Sequence, residues 1–454
     1  MDHPTKPGRP TAATRGRAWR RRSIMRLRRR SGRALDTGRN RLLFVLGGIC
    51  VGLAAVLMAW AADAAQAGFR AALSLSPLVA LGLTPAGFAL AALLTRNVFP
   101  NAQGSGIPQV IAARVTEDAS LRRRLVSLRI AVGKVVLLGL GLACGASAGR
   151  EGPTVQVGAA ILAAFGRLTP DRVPGLLLAG GAAGVAAAFN TPLAGIVFAI
   201  EELGRAYDRR SAGLTVAAIV AAGLTALVAL GNYTYFGSTR AGLPATVEAW
   251  AAVVGVALAG GLLGGLFSRI VILFGRGLPG RAGRMIARRP VAFAAACGLG
   301  VALCGLVSGG LVYGTGYEEA RAILHGEAAA RFDFAPLKLI ATVLTSVSGI
   351  PGGLFAPSLA VGAGLGGWVA GLAPGVPLGA LVLVGMVAYL AGVLQAPLTS
   401  FVIVVEMTQD HALVIPLMVA AFLADAASRI LCRDGLYHAL AEAILDRAAP
   451  SVRT

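Results

Sequence analysis

Apolar runs long enough to carry a helix across a bilayer core, about 18–20 residues, recur along this 454-residue chain. They fall near residues 42–62, 78–94, 130–147, 212–230, 251–266 with its flanks, 291–312 and 378–393. Inside a hydrocarbon layer every backbone N–H and C=O must find a partner within the protein, so such runs dictate helices. Composition agrees: 56% of the residues are hydrophobic and 14% charged, against roughly 25% charged in a soluble domain. The predicted fold class is all-α, a polytopic membrane protein. The 61 glycines suit it, because small residues let helices approach closely where lipid supplies no hydrophobic drive.

The formal charge of +21 is uneven. Thirteen arginines and Lys6 stand against Asp2 and Asp36 in the first 41 residues, so +12 of it precedes the first span. The positive-inside rule reads this arm, residues 1–38, as cytoplasmic and not as a nucleic-acid-binding tail. The basic stretches Arg114–Arg129, Arg205–Arg210 and Arg269–Arg289 go to the same side. The stretches near Asn232–Glu248 and Glu318–Asp333 go outside, and both termini are expected in the cytoplasm of an inner (plasma) membrane protein. No apolar stretch directly follows Arg20–Arg22, so a secretion signal is not expected. Cys50, Cys144, Cys297, Cys304 and Cys432 lack metal-ligand spacing and read as small core residues; no metal and no cofactor are expected.

Against this background, Gly149-Arg150-Glu151-Gly152-Pro153 stands out. An ionisable side chain at membrane depth costs on the order of 2.5–3.5 kcal/mol even on lenient insertion scales, and marks ion pathways. Proline and two glycines around Glu151 place it at the start of a broken helix, whose free N–H groups and positive dipole end suit an anion.

The chain also repeats itself. Gly149-x-x-x-Pro153-x-x-x-Val157-Gly158-Ala159 returns as Gly353-x-x-x-Pro357-x-x-x-Val361-Gly362-Ala363, and Asn190-x-Pro192-Leu193-x-x-x-Val197-x-x-x-Glu201 returns as Gln395-x-Pro397-Leu398-x-x-x-Val402-x-x-x-Glu406. The near-constant offset divides the chain into a first transmembrane repeat, 39–235, and a second, 236–446, followed by a short tail, 447–454. Paired halves with broken helices place a substrate site near the membrane midplane.

Three further stretches carry donors. Gly104-Ser105-Gly106-Ile107-Pro108 offers a hydroxyl beside a helix start. Gly349–Pro357 is glycine-rich enough for the N–H groups of Leu354, Phe355 and Ala356 to approach a ligand. Tyr437 follows the last apolar span, as a membrane-interface anchor or as a phenol donor to the anion. No H-E-x-x-H or Ser/His pairing is present, so an enzyme is not expected.

In their order, Gly104–Pro108, Gly149–Pro153, Gly352–Pro357 and Tyr437 resemble the signature segments of the CLC chloride channel and transporter family, from about Arg39 to the C-terminus. The resemblance implies an inverted repeat of tilted and broken transmembrane helices, assembled as a homodimer with one pore per subunit. It implies chloride and protons as the transported partners, membrane lipid as the surroundings, and no nucleic acid. Carried over by residue, Ser105 and Tyr437 resemble the side-chain donors to the central chloride, and Leu354 and Phe355 the backbone donors. Gly106, Ile107, Arg150 and Gly152 belong to the same chloride-binding segments. Glu151 resembles the gating glutamate. Glu202 resembles the internal proton-transfer residue of the exchangers, which favours Cl⁻/H⁺ exchange by a secondary active transporter. A passive voltage- or pH-gated chloride channel, with Glu202 merely structural, is the competing reading. Two departures bear on the inner proton route: Gln109 and Ile111 stand where well-known bacterial exchangers carry acids.

Overall fold

The computed structural model describes residues 12–166, 169, 172–204, 212–231, 235–239 and 241–448, with side chains from residue 38 onward. Residues 1–11 of the arm, the basic stretch Arg205–Arg210 and residues 449–454 of the tail lie outside the described residues.

The first half runs α1 (Ala12–Leu75), α2 (Val79–Asn97), α3 (Ile107–Val115), α4 (Ala119–Leu125), α5 (Leu128–Ala143), α6 (Glu151–Phe165), α7 (Val173–Phe189), α8 (Pro192–Phe198) and α9 (Ala212–Leu230). A π-helical turn, Ala199–Leu203, extends α8. The second half runs α10 (Val247–Arg276), α11 (Gly280–Arg288), α12 (Pro290–Ser308), α13 (Tyr317–Leu324), α14 (Phe334–Val347) and α15 (Phe355–Ala370). It closes with α16 (Leu378–Leu394), α17 (Pro397–Thr408), α18 (Val414–Leu431) and α19 (Leu436–Ala448).

Seven helices among the described residues are long and apolar enough to cross a membrane. Five shorter apolar helices, α7 and α14–α17, lie among them. Two expected spans end early, where glycine supplies the left-handed turn: α5 stops before Gly145 (φ 85°) and α12 before Gly309 (φ 69°). The run 378–393 forms α16, which is buried on every side, and an all-round apolar helix belongs there. Leu53, Leu57, Trp60 and Ile430 point outward from the spans, as a lipid-facing surface requires. Cys144, Cys297 and Cys432 are buried, whereas Cys50 is exposed and Cys304 half-buried, so not all five cysteines are core residues.

Glycine sets how closely the halves pack. A Cβ on Gly158 of α6 would lie 2.3 Å from the Gly180 carbonyl oxygen of α7, and one on Gly362 of α15 would lie 2.3 Å from that of Gly385 of α16. The same crossing is thus built twice, at the sequence offset of the repeat. Asn190 after α7 and Gln395 after α16 both take a left-handed turn at φ 55°. The Glu201 carboxylate accepts from the N–H of Leu398 (3.1 Å) and Thr399 (2.6 Å) at the start of α17. Glu406 accepts from Leu193 (3.1 Å) and Ala194 (2.8 Å) at the start of α8. Each helix therefore caps the other's N-terminus with a carboxylate near its own C-terminal end, which requires the equivalent elements to run oppositely.

Candidate functional site

Three helix starts meet at the centre. The loop before α3 is joined to the loop before α15: Gly104 N–H donates to Ile350 O and Gly352 N–H to Gly104 O, each at 3.1 Å. The loop before α6 is joined to the same strap, with Gly149 and Gly353 each donating N–H to the other's carbonyl at 2.8 Å. The initial N–H groups of α3, α6 and α15 have no carbonyl four residues back to accept them, so their donors and positive dipole ends gather in one region.

Lys134 of α5 secures the first loop. It is fully buried, and its Nζ donates to the carbonyls of Ala102 (2.7 Å), Gln103 (3.3 Å) and Gly104 (2.8 Å). With those oxygens turned to the ammonium, the following N–H groups and Ser105 are left for the centre. Lys338, the equivalent residue of the second half, donates to Val312 O and Gly314 O, both at 2.9 Å. Sequence reasoning missed this pair, although the two lysines are separated by the repeat's own offset.

Glu151 opens α6 and is completely buried. Its Oε1 accepts a 2.8 Å hydrogen bond from the Tyr317 hydroxyl, and its carboxylate faces the Ala356 N–H in the first turn of α15. A Cβ on Gly149 would lie 2.3 Å from Glu151 Oε2 and 3.3 Å from Ala356 N, so only glycine leaves the carboxylate its place. Beneath it, Ser105 and Tyr437 come together. The Ser105 Oγ accepts from Ile107 N–H at 3.3 Å, keeping its own proton free to donate. The Tyr437 hydroxyl, buried on α19, faces Ser105 and has no hydrogen-bond partner among the described residues. A Cβ on Gly152 would lie 3.0 Å from Ser105 Oγ, so the α6 start sits directly against this hydroxyl. Phe355 packs edge-on against Phe189 and Phe198, with ring centroids 5.5 and 6.1 Å away, and lies 6.5 Å from the Tyr437 ring.

A cavity of about 230 Å³ reaches this cluster, lined by Gln103, Ser105, Gly352, Leu354, Tyr437 and Arg447 among others. At its outer rim Arg447 donates to the Gly275 carbonyl, and nearby Arg276 pairs with Asp434 at 3.0 Å. On the other side of Glu151 stand Tyr235 and Tyr317, with ring centroids 5.0 Å apart, the first on a loop and the second opening α13, with the loops that flank them. These loops touch through His325 Nε2 and Phe236 O (2.5 Å), so the two stretches expected outside share one face of the molecule.

Arg150 is directed away from the Ser105–Tyr437 cluster. Its Nη1 donates to Ala59 O and Asp63 Oδ1, both at 2.9 Å, and its Nη2 to the Tyr235 hydroxyl at 2.9 Å. That hydroxyl in turn donates to Ala188 O at 2.7 Å. The guanidinium therefore braces α1 and the Tyr235 loop, while the backbone of residue 150 caps α6. Asp63, Tyr235 and Tyr317 lay in unremarkable apolar or loop sequence, and only the fold brings them to the site.

Glu202 lies on the π-helical turn after α8, nearly buried, 3.3 Å from His438 Nδ1 on α19. Its neighbour Glu201 is the α17 cap. Gln109 donates from Nε2 to Gln103 O at 2.8 Å, and Ile111 is buried in α3; neither brings an acid to Glu202.

Residues 87–429 match the family model for voltage-gated chloride channels. The H(+)/Cl(-) exchange transporter ClcA of Yersinia pestis bv. Antiqua (strain Angola) is 31% identical over 423 residues, covering 87% of this chain and 85% of that protein. Among solved structures, a slow cyanobacterial Cl-/H+ antiporter superposes with a TM-score of 0.73 at 24% identity, over 91% of this chain and 99% of that one. A CLC-type fluoride/proton antiporter gives 0.75 at 22% identity, over 88% and 97%. With its helix starts joined at one centre and its halves repeated, this multi-pass membrane protein belongs to the voltage-gated chloride channel (CLC) family.

Proposed function

We propose that the protein is a secondary active transporter that exchanges chloride for protons. The observation that carries this reading is the position of Glu151: a carboxylate seated among helix N-termini, directly above two hydroxyl donors. An anion fits the same donors. Ser105 and Tyr437 supply side-chain hydroxyls to a central chloride, and Gly106, Ile107, Gly152, Leu354 and Phe355 the surrounding backbone, with Arg150 acting through its place at the α6 start. Ionised, Glu151 competes with chloride for positive potential; protonated, it loses that attraction and swings out, so one proton and the anion trade places. Glu202 hands protons to this gate from the cytoplasmic side. The relative ClcA, named as an H(+)/Cl(-) exchanger, supports exchange over passive conduction.

The protein works as a homodimer with a pore in each subunit. Supporting this, Leu193 of α8, Leu224 and Val228 of α9, Leu398 of α17 and Ile415 and Phe422 of α18 are exposed. The Glu201 and Glu406 caps tie α8 to α17 beneath part of this surface. The repeats 39–235 and 236–446 supply opposite walls of the pore. The arm 1–38 and tail 447–454 face the cytoplasm from the inner membrane, consistent with the arm's net charge of +10.

Proteoliposomes loaded with chloride, with external chloride and pH recorded together, test the reading. The wild type moves protons uphill when chloride runs down its gradient. Glu151→Gln passes chloride but moves no protons. Uphill proton movement persisting in that variant refutes the gate assignment, and a wild type that ignores the pH gradient refutes exchange.

A further inference from the structure

We propose that His438 is the proton entry residue of this protein, relaying protons from the cytoplasmic water to Glu202. The inference rests on the reading of Glu202 as the inner proton carboxylate. Glu202 is nearly buried, with 6% of its side chain exposed, so it needs an intermediary to reach bulk water. No acid adjoins it from α3, where Ile111 is apolar. A group that adjoins it directly is the imidazole of His438, with Nδ1 3.3 Å from Glu202 Oε1 and 19% of the side chain exposed. One ring nitrogen thus meets the carboxylate while part of the side chain is exposed, the arrangement a shuttle requires.

Position on α19 adds an independent argument. At 100° per residue, Leu440, Ala443, Ile444 and Arg447, which line the anion cavity, share one face. His438 projects from the opposite face and is not part of that lining. Adjacent residues of one helix therefore serve separate paths: Tyr437 the anion, His438 the proton. The titratable groups around the pair include the buried Tyr437 phenol on the same helix. Arg114 of α3 donates to the Leu203 carbonyl, and Glu201 caps α17. On α10, Arg276 pairs with Asp434, and Arg269 lies two turns before it. Glu442 is exposed one turn beyond His438, α16 contributes the buried phenol of Tyr389, and α7 and α8 bring no titratable side chain.

In the transfer, a cytoplasmic proton binds Nε2 to give the imidazolium. The Nδ1–H bond then breaks as an O–H bond forms on Glu202, leaving a neutral ring whose tautomer is reset by exchange with water.

The test records proton and chloride flux together in proteoliposomes for wild type, His438→Ala, His438→Gln and Glu202→Gln, with and without free imidazole. Both His438 variants are expected to keep chloride flux and lose proton flux at least about fivefold, a fraction of what general acid–base groups contribute because water partly substitutes. Millimolar-range imidazole restores the proton flux of His438→Ala, where the ring's space is vacated, but not that of Glu202→Gln. A wild-type proton-to-chloride ratio in both His438 variants, with Glu202→Gln uncoupled, overturns this proposal alone. A parallel fall of both fluxes that imidazole does not restore also overturns it, in favour of a structural role. Intact coupling in Glu202→Gln refutes the Glu202 reading itself.

Discussion

Replacing Tyr317 with phenylalanine removes one oxygen, and the consequence can be worked from the geometry. In the resting arrangement the hydroxyl of half-buried Tyr317 donates to Oε1 of the buried Glu151 at 2.8 Å. A hydrogen bond to a charged group contributes about 1.5–3 kcal/mol, and the protonated carboxyl recovers part of it, so the low end applies. The seated, ionised carboxylate then loses about 1.5 kcal/mol relative to the swung-out, protonated form, roughly a tenfold shift in that equilibrium. Chloride competes with the carboxylate for the same donors, so its apparent affinity tightens by up to about tenfold. The sign for pH follows: exchange requires the protonated form, so the rate falls as pH rises, and removing a donor to the ionised form moves that falling limb upward by about one unit. Chloride binding is read by calorimetry in detergent, and the pH profile by flux in liposomes. Tyr317→Phe in a Glu151→Gln background serves as the control, because there the hydroxyl has no carboxylate to hold. An unshifted profile in the single variant, or an equal effect in both backgrounds, refutes the reasoning.

Other perturbations separate the remaining roles. Tyr437→Phe and Ser105→Ala each delete one of the donors proposed for the central anion and are expected to weaken chloride binding several-fold in calorimetry, the residue of about 1.5–3 kcal/mol after water enters. Glu201→Gln keeps proton coupling but lowers thermal stability, since the amide is a weaker acceptor for the α17 start; lost coupling there moves the proton role one residue back. Lys134→Met leaves the Ala102 carbonyl without its donor, while Gln103 O keeps Gln109 Nε2 and Gly104 O keeps Gly352 N–H, and it lowers thermal stability by about 1–3 kcal/mol, seen as a fall in the detergent melting temperature. Gly152→Ala pushes a methyl to 3.0 Å from Ser105 Oγ and lowers chloride flux; an unchanged rate refutes the tight placement of Ser105.

The architecture was legible because membrane helices are written locally. Apolar runs and the offset of the repeat mark the spans and the paired broken helices, and glycine and proline mark where the helices start. The early ends of α5 and α12 were not, since alanine, glycine and serine continue the hydrophobic pattern past a left-handed turn. Nor could the sequence show where Arg150 spends its guanidinium, because Asp63 and Tyr235 lie 87 and 85 residues away on either side. Tyr317, Lys134 and His438 share that difficulty. Each touches a partner far off in the chain, and only Lys134 carried a readable mark, its equivalent Lys338.

The repeat also sorts structure from chemistry within each half. Lys134 and Lys338 occupy equivalent places and fix equivalent loops, and Glu201 and Glu406 cap each other's helices. Groups that hold the fold are therefore present twice. The two carboxylates assigned to the proton are present once: Glu151 corresponds to Phe355, and Glu202 to Met407, both apolar and buried. A symmetric pair of carboxylates at the two central helix starts would place like charges together and repel the anion that those N–H groups attract. With phenylalanine at one start and glutamate at the other, α15 offers bare donors while α6 offers a carboxylate that can compete for them. The second substitution confines the inner proton route to one half, beside α19. Restoring symmetry with Phe355→Glu therefore introduces a second competitor at the centre. Chloride binding by calorimetry should fall by an order of magnitude or more at a pH where both carboxyls ionise, and recover as the pH is lowered. Equal chloride affinity at high and low pH in that variant would mean that asymmetry at the helix starts does not govern access of the anion.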